Sequence, residues 1–137
     1  MTKEPVIIER EQLEEMLRIA PFHQWLGVEI KSYSADQLQL LMPWRNEIVS
    51  NPVLGAAHGG VLAALIDLTG LYTLLAMGAK VKATADLRVD YHRPATSGPL
   101  IATGRVVKIG RQISVADTHI TGPDGKLVAS GRGAYTC

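Results

Sequence analysis

The most informative segment of the chain is the apolar run HGGVLAALIDLTGLYTLLAMGA, residues 58–79. After Gly60 its residues are aliphatic or small until Asp67, and Gly78 closes the run. Because apolar residues lie on every side rather than in one stripe, the run predicts a helix, ending near Met77, that is buried on all sides within the protein. A lone carboxylate is costly to bury in such a helix unless it is paired or takes part in chemistry, so Asp67 is a candidate functional residue.

Length and composition indicate one domain over residues 1–137 with an aliphatic core. Hydrophobic residues make up 47% of the chain and aromatic residues only 5%. Lys and Arg number 14 and Asp and Glu 13, and this nearly neutral balance does not indicate a nucleic acid or a membrane surface as partner.

The cysteine and histidine residues bear on the cellular compartment and on metal binding. Cys137 is the one cysteine, which leaves no internal disulfide and fits a reducing compartment. The N-terminal residues are too charged for a signal peptide. We therefore expect a cytoplasmic protein. The four histidines show no metal-ligand spacing, so we expect no metal.

A membrane span is the alternative interpretation of the apolar run. Residues 61–79 are long enough to cross a bilayer, but no basic anchor precedes them. An aspartate at the centre of a lone span costs roughly 2.5–3.5 kcal/mol. The pattern therefore favours a core helix and no membrane partner.

The segments around this helix alternate between apolar and polar residues, as strands do. We predict a short amphipathic helix at 12–19 stopped near Pro21, a hairpin at 28–42 with its turn at 34–36, a long loop at 44–57, and strands at 80–91, 100–109, 112–120 and 126–135, with a turn at 122–125. Antiparallel strands around one apolar helix predict an α+β domain whose sheet wraps the helix.

Helix geometry links Asp67 to the two glycines that open the helix. Free N–H groups and the positive end of the dipole lie at Gly59 and Gly60, where an oxyanion can approach closely. Asp67 can act as base or nucleophile. Eight residues of helix separate Gly59 from Asp67 by about 12 Å, yet a reacting carbonyl must lie near both. Antiparallel helices from two protomers meet this requirement, which predicts a homodimer with shared sites.

Three segments resemble the hotdog-fold acyl-CoA thioesterases of the phenylacetate-pathway type. They are HGGVLAALID, ADLRVDYHRPATSGPLIATGRVV and GPDGKLVASGRGAYT, and in this order and spacing the resemblance covers nearly the whole chain. It implies a hotdog fold, hydrolysis of a small or medium acyl- or aryl-CoA thioester, and a homodimer or homotetramer. Coenzyme A would enter as part of the substrate, without a separate cofactor.

The resemblance also implies roles for individual residues. Asp67 matches the catalytic base or nucleophile, and Gly59 the glycine whose N–H polarises the thioester carbonyl. His58 matches the catalytic-site histidine beside the helix start, which helps to hold the loop or the thioester. Thr84 matches the hydroxyl that orients the water. Asn51 is a candidate for the family's catalytic asparagine. It lies seven residues before His58, whereas the asparagine of the family lies six residues before its histidine.

Five further residues are candidates for substrate binding. Gly60 lies at the helix start, and Arg93 and Pro94 lie at the Tyr-x-x-Pro turn. Lys108 and Arg111 flank a glycine between two predicted strands. The three cations could bind the phosphates of coenzyme A, although each could also be a solvated surface charge.

Other interpretations stay open at the level of sequence. The chain could be a hydratase or dehydratase of acyl thioesters, or a non-catalytic acyl-CoA binding module. Asp67 could be a structural cap, His58 a residue bonded to the helix start, and Thr84 an ordinary strand residue. Asn51 and Pro52 could form a turn.

Overall fold

In the computed structural model, which describes residues 8–137, one long helix packs against an antiparallel sheet of six strands. The helices are α1 (Arg10–Ile19), α2 (Pro21–Leu26) and α3 (Gly59–Ala76), with a 3-10 turn at Asn46–Ile48. The strands are β1 (Glu29–Tyr33), β2 (Gln37–Met42), β3 (Val49–Asn51), β4 (Ala56–Ala57), β5 (Ala83–Tyr91), β6 (Leu100–Lys108), β7 (Ile113–Thr121) and β8 (Leu127–Thr136). The predicted α+β class, with the sheet built around one central helix, is confirmed.

The order of the strands places β5 at an edge of the sheet. The six-stranded sheet runs β1-β2-β6-β7-β8-β5, and every pair in it is antiparallel. Within residues 8–137, β8 is the only strand paired with β5, so the other side of β5 offers unpaired backbone groups. Most side chains of β5 are exposed.

The core lies between α3, the inner face of the sheet and α1. Leu65 and Ile66 of α3, Leu40 of β2, Ile120 of β7 and Leu13 of α1 are all at most 1% exposed. Burying a side chain of this size stabilises the fold by about 1.5–3 kcal/mol. The alternation that predicted the strands therefore reflects packing against α3.

The helix α3 differs in one respect from the prediction of burial on all sides. Ten of its residues are buried, but one face, formed by Gly60, Ala64, Asp67, Leu71 and Leu75, is partly or fully exposed. The sheet covers only one side of the helix. By length and composition alone α3 could cross a membrane, but its packing against five strands accounts for its apolar sequence.

The structure differs from the predicted elements in three places for local reasons. The first helix ends at Ile19 as predicted, but a second helix, α2, follows from Pro21, because proline is tolerated in the first turn of a helix. The predicted loop at 44–57 contains the 3-10 turn and the small β3–β4 sheet. The strand predicted from Lys80 begins only at Ala83, where pairing with β8 starts.

Candidate active site

The start of α3 is capped by the side chain of His58. Its Nδ1 accepts a hydrogen bond from the Gly60 amide at 2.8 Å, and its carbonyl accepts from the Val61 amide. The Gly59 amide, in contrast, has no hydrogen-bond partner within residues 8–137. Gly59 therefore offers the free N–H group at this helix start, whereas the amide of Gly60, predicted to bind substrate, is already used by His58.

Tyr91, at the end of β5, fixes the same turn from the other side. Its hydroxyl donates to the Gly59 carbonyl oxygen at 2.6 Å. A Cβ atom added to Gly59 would lie 3.3 Å from the Tyr91 ring, so the ring covers this glycine closely. The absence of a side chain at Gly59 thus lets Tyr91 reach the backbone.

An open cleft of about 420 Å³ adjoins the helix start. Its lining includes Gly59, Tyr91, Arg93 and Pro94, together with the apolar side chain of Leu54. The structure therefore brings together three of the predicted site residues at one end of α3. We call His58, Gly59, Tyr91, Arg93 and Pro94 the amide half-site.

Asp67 lies two helical turns further along α3 and contacts β5. The Thr84 hydroxyl donates to its Oδ1 at 2.7 Å. Asp67 is half-buried and Thr84 is exposed, so the carboxylate is hydrogen-bonded without being sealed from solvent. The structure joins these two predicted residues, which we call the carboxylate half-site.

Tyr135 of β8 holds the backbone at this turn of α3. Its side chain is fully buried, and its hydroxyl donates to the Asp67 carbonyl oxygen at 2.8 Å. Burial raises the pKa of Tyr135 well above its usual value, and the negative charge of Asp67 raises it further. The hydroxyl therefore stays a donor near neutral pH.

Gly70 makes this contact possible. A Cβ atom added at Gly70 would collide with the Tyr135 hydroxyl, because it would lie well inside van der Waals distance. Each half-site is thus anchored by a tyrosine hydroxyl on a backbone carbonyl of α3. No local sequence pattern marks Tyr135 or Gly70 as a site residue, and Tyr91 stands out only as part of the Tyr-x-x-Pro turn. A glycine within an apolar helix is the one sequence signal for such a close approach.

The strand register places the remaining two cations away from the amide half-site. Thr84 lies opposite Tyr135, and Tyr135 lies opposite Ser114. The turn that holds Lys108 and Arg111 is tied to Ser114 by the bond from the Gly110 amide to its hydroxyl, at 3.1 Å. This turn therefore lies on the side of the carboxylate half-site. Within one protomer, Arg93 therefore lies at the amide half-site, whereas Lys108 and Arg111 lie on the side of the carboxylate half-site.

Asn51 makes a local turn. Its Oδ1 accepts from the amides of Val53 and Leu54 at 3.1 and 3.2 Å, as expected for a side chain that closes a turn before proline. The structure does not bring its side chain into hydrogen-bond contact with His58 or Gly59. A catalytic role for Asn51 stays a prediction.

Comparisons with known proteins identify the family of the chain. The family model described as "Thioesterase superfamily" matches residues 54–129, more than half of the chain. A solved protein from the thioesterase superfamily is 38% identical, with a TM-score of 0.87 over 93% of this chain and 97% of that one. The PaaI protein from the phenylacetic acid degradation operon of E. coli is 27% identical, with a TM-score of 0.78 over 93% and 96% of the two chains. The medium/long-chain acyl-CoA thioesterase YigI of Escherichia coli K12 is 26% identical over 132 residues, 84% of each chain.

Proposed function

The chain belongs to the thioesterase superfamily and is a thioester hydrolase, and we propose that its substrate is a small or medium acyl or aryl thioester of coenzyme A. YigI carries acyl-CoA in its name, and PaaI is encoded in an operon for the degradation of an aromatic acid. The observation that carries the proposal is the pair of half-sites on α3: a free Gly59 amide and an Asp67 carboxylate held by Thr84.

In the proposed reaction water adds to the thioester carbonyl. The Gly59 amide donates to the oxygen on which negative charge develops, as a preorganised oxyanion donor. Asp67 takes a proton from water that the Thr84 hydroxyl helps to orient. The C–O bond forms, the C–S bond breaks, and the proton passes to the leaving thiolate, which gives the free acid and coenzyme A. In the alternative route the Asp67 carboxylate attacks the carbonyl carbon, and the C–S bond breaks to release coenzyme A as the thiolate. Water then hydrolyses the resulting anhydride, which gives the free acid and restores the Asp67 carboxylate.

The active unit in this proposal is a homodimer with shared sites. Gly59 and Asp67 of one helix are about 12 Å apart along its axis, too far for one carbonyl group to contact both. The partly exposed face of α3 and the edge strand β5 border the same region and suit a second copy of the chain. Each site would combine the amide half-site of one protomer with the carboxylate half-site of its partner.

In such a shared site the three candidate cations would lie near one substrate molecule. Arg93 on one protomer and Lys108 and Arg111 on the other would flank a single acyl-CoA and contact its phosphates. The proposed reaction uses water and these side chains, with no separate cofactor. A tetramer built from two such dimers, and a location in the cytoplasm, stay predictions.

Turnover of acyl-CoA substrates by the Asp67→Asn variant tests the proposed chemistry. Release of free thiol from a panel of acyl-CoA substrates should fall by at least about 10²-fold in kcat, the size of a general-base contribution. Asp36→Asn, in the exposed β1–β2 turn, is the matched control and should keep wild-type turnover. An Asp67→Asn variant within threefold of wild type would exclude this role.

Two further results would favour the alternative functions. Hydration of crotonyl-CoA without thiol release would indicate a hydratase. Acyl-CoA binding without turnover by the wild-type protein would indicate a binding module.

Mixing two inactive variants tests the shared site. Asp67→Asn removes the carboxylate, and Gly59→Val places a side chain against Tyr91 at the free amide. A mixed dimer would have one site with both changes and one with neither. Co-refolded mixtures should therefore recover up to about a quarter of wild-type activity for random pairing. No recovery in proven mixed dimers would mean that each chain builds its own site.

A further inference from the structure

One peptide group at the start of α3 is held at both of its polar atoms. The Tyr91 hydroxyl donates to the Gly59 carbonyl oxygen at 2.6 Å, and the Gly60 amide donates to His58 Nδ1 at 2.8 Å. This carbonyl and this amide belong to the same planar peptide unit. The two side chains therefore lie at opposite ends of one rigid group.

The hydrogen bond from the Gly60 amide to Nδ1 determines the tautomer of the His58 ring. A neutral imidazole has one donor and one acceptor nitrogen, and Nδ1 is used here as the acceptor. The hydrogen of the neutral ring is therefore on Nε2, which has no hydrogen-bond partner within the part of the chain that the structure describes. The ring is exposed at the helix start, beside the free Gly59 amide.

We propose that Tyr91 is a positioning residue, whose hydroxyl acts through the Gly59–Gly60 peptide to hold His58 with its hydrogen on Nε2. Donation to the carbonyl polarises the peptide and strengthens its N–H as a donor, since linked hydrogen bonds reinforce one another. The same contact fixes the plane of this peptide, whose amide is the group bonded to His58. The kinetic consequence of this role rests on the proposed function, in which His58 helps to hold the thioester as the family resemblance implies. The hydrogen bonds of the peptide itself do not depend on that function.

A test must distinguish the packing of the Tyr91 ring from the hydrogen bond that its hydroxyl donates. The ring packs against Gly59, so removal of the whole side chain would change the packing as well as the hydrogen bond. Tyr91→Phe keeps the ring and removes only the donor. Tyr33→Phe is the matched control, because the Tyr33 hydroxyl also donates to backbone carbonyls, those of Ile8 and, at 3.4 Å, of Ala76 at the other end of α3.

The first experiment uses NMR. It measures the rate of hydrogen exchange of the Gly60 amide, and it detects which ring nitrogen of His58 carries the hydrogen. In wild type, His58 Nδ1 should be unprotonated and Gly60 should be protected. A net hydrogen bond is worth about 1 kcal/mol, which corresponds to about a fivefold change. We therefore expect Tyr91→Phe to speed Gly60 exchange about three- to tenfold and Tyr33→Phe to leave it within twofold. Gly60 exchange within twofold of wild type in Tyr91→Phe, or an equal effect of Tyr33→Phe, overturns the proposal.

The second measurement is kinetic and separates positioning from general loosening of the fold. Tyr91→Phe should lower kcat about three- to tenfold with KM within twofold, and Tyr33→Phe should leave both within twofold. In a His58→Ala background, Tyr91→Phe should have no further effect beyond twofold, because its action passes through His58. A full additional loss there overturns the proposal. If wild type hydrolyses no acyl-CoA, the proposed function fails, and Gly60 exchange still decides the role of Tyr91.

Discussion

The hydrogen bond between Thr84 and Asp67 gives the sharpest test of the carboxylate half-site. Thr84→Val removes the hydroxyl that donates to Asp67 Oδ1 at 2.7 Å, and it keeps a β-branched side chain of nearly the same shape in β5. A hydrogen bond to a charged group is worth about 1.5–3 kcal/mol. Since Thr84 is exposed and Asp67 half-buried, we take the lower end of that range, which corresponds to about a tenfold fall in kcat.

The assay is steady-state thiol release over a range of acyl-CoA concentrations. Thr84→Val should lower kcat about tenfold with little change in KM, because the hydroxyl orients the base and its water rather than the substrate. Thr84→Ser keeps the donor and should stay within about threefold of wild type. In an Asp67→Asn background the effect of Thr84→Val should disappear. If Thr84→Val turns over substrate within twofold of wild type, the bond does not serve catalysis and the mechanism proposed for this half-site is wrong.

Three further changes test other parts of the structure. Gly70→Ala should lower the free energy of unfolding by roughly 1–2 kcal/mol in urea titrations, and less in a Tyr135→Phe background, where the colliding hydroxyl is gone; an equal loss in both backgrounds would contradict the close approach. Burial lowers the pKa of His23, an effect that the charge of Asp67 partly opposes, so the unfolded chain binds more protons than the folded one between that lowered pKa and about pH 6.5. Stability should therefore fall as pH drops from about 6.5, a slope that His23→Asn should flatten; an unchanged slope in that variant would refute this cause. Arg93→Gln should raise KM for acyl-CoA up to about fivefold at unchanged kcat, whereas Arg88→Gln, on the same strand as Tyr91, should change neither; equal effects would deny Arg93 a specific contact.

Much of the candidate site was accessible from local sequence. Asp67 and Gly59 are separated by a fixed number of residues on one helix, so their distance follows from helical geometry alone. His58 precedes the helix directly, which makes contact with the first turn almost unavoidable, and the structure shows that contact as a cap on the Gly60 amide. The sequence spacing does not show which glycine amide stays free. The structure shows that it is the Gly59 amide, because the His58 side chain accepts from the Gly60 amide.

The contacts between distant segments were less accessible. Thr84 is a candidate site residue only through the family resemblance, and its contact with Asp67 is seen only in the structure, since nothing in the local pattern of β5 shows where its side chains meet α3. Tyr135 reaches Asp67 because β8 pairs with β5 in a particular register. For Asn51 the sequence allows both a place in the site and a local turn, and the structure shows the turn, since its side chain accepts from amides two and three residues away.

The sequence by itself determined the α+β architecture, the order of helix and strands, and the presence of a carboxylate and a glycine pair on one apolar helix. These follow from hydrophobic periodicity and from helical rise, which are local properties of the chain. The tertiary structure alone decided that α3 keeps one face partly open, that two tyrosine hydroxyls anchor its carbonyls, and that Arg93 lies at one half-site and Lys108 and Arg111 on the side of the other. The physical reason is that strand order and register bring together residues far apart in the chain, and no local pattern encodes those distances.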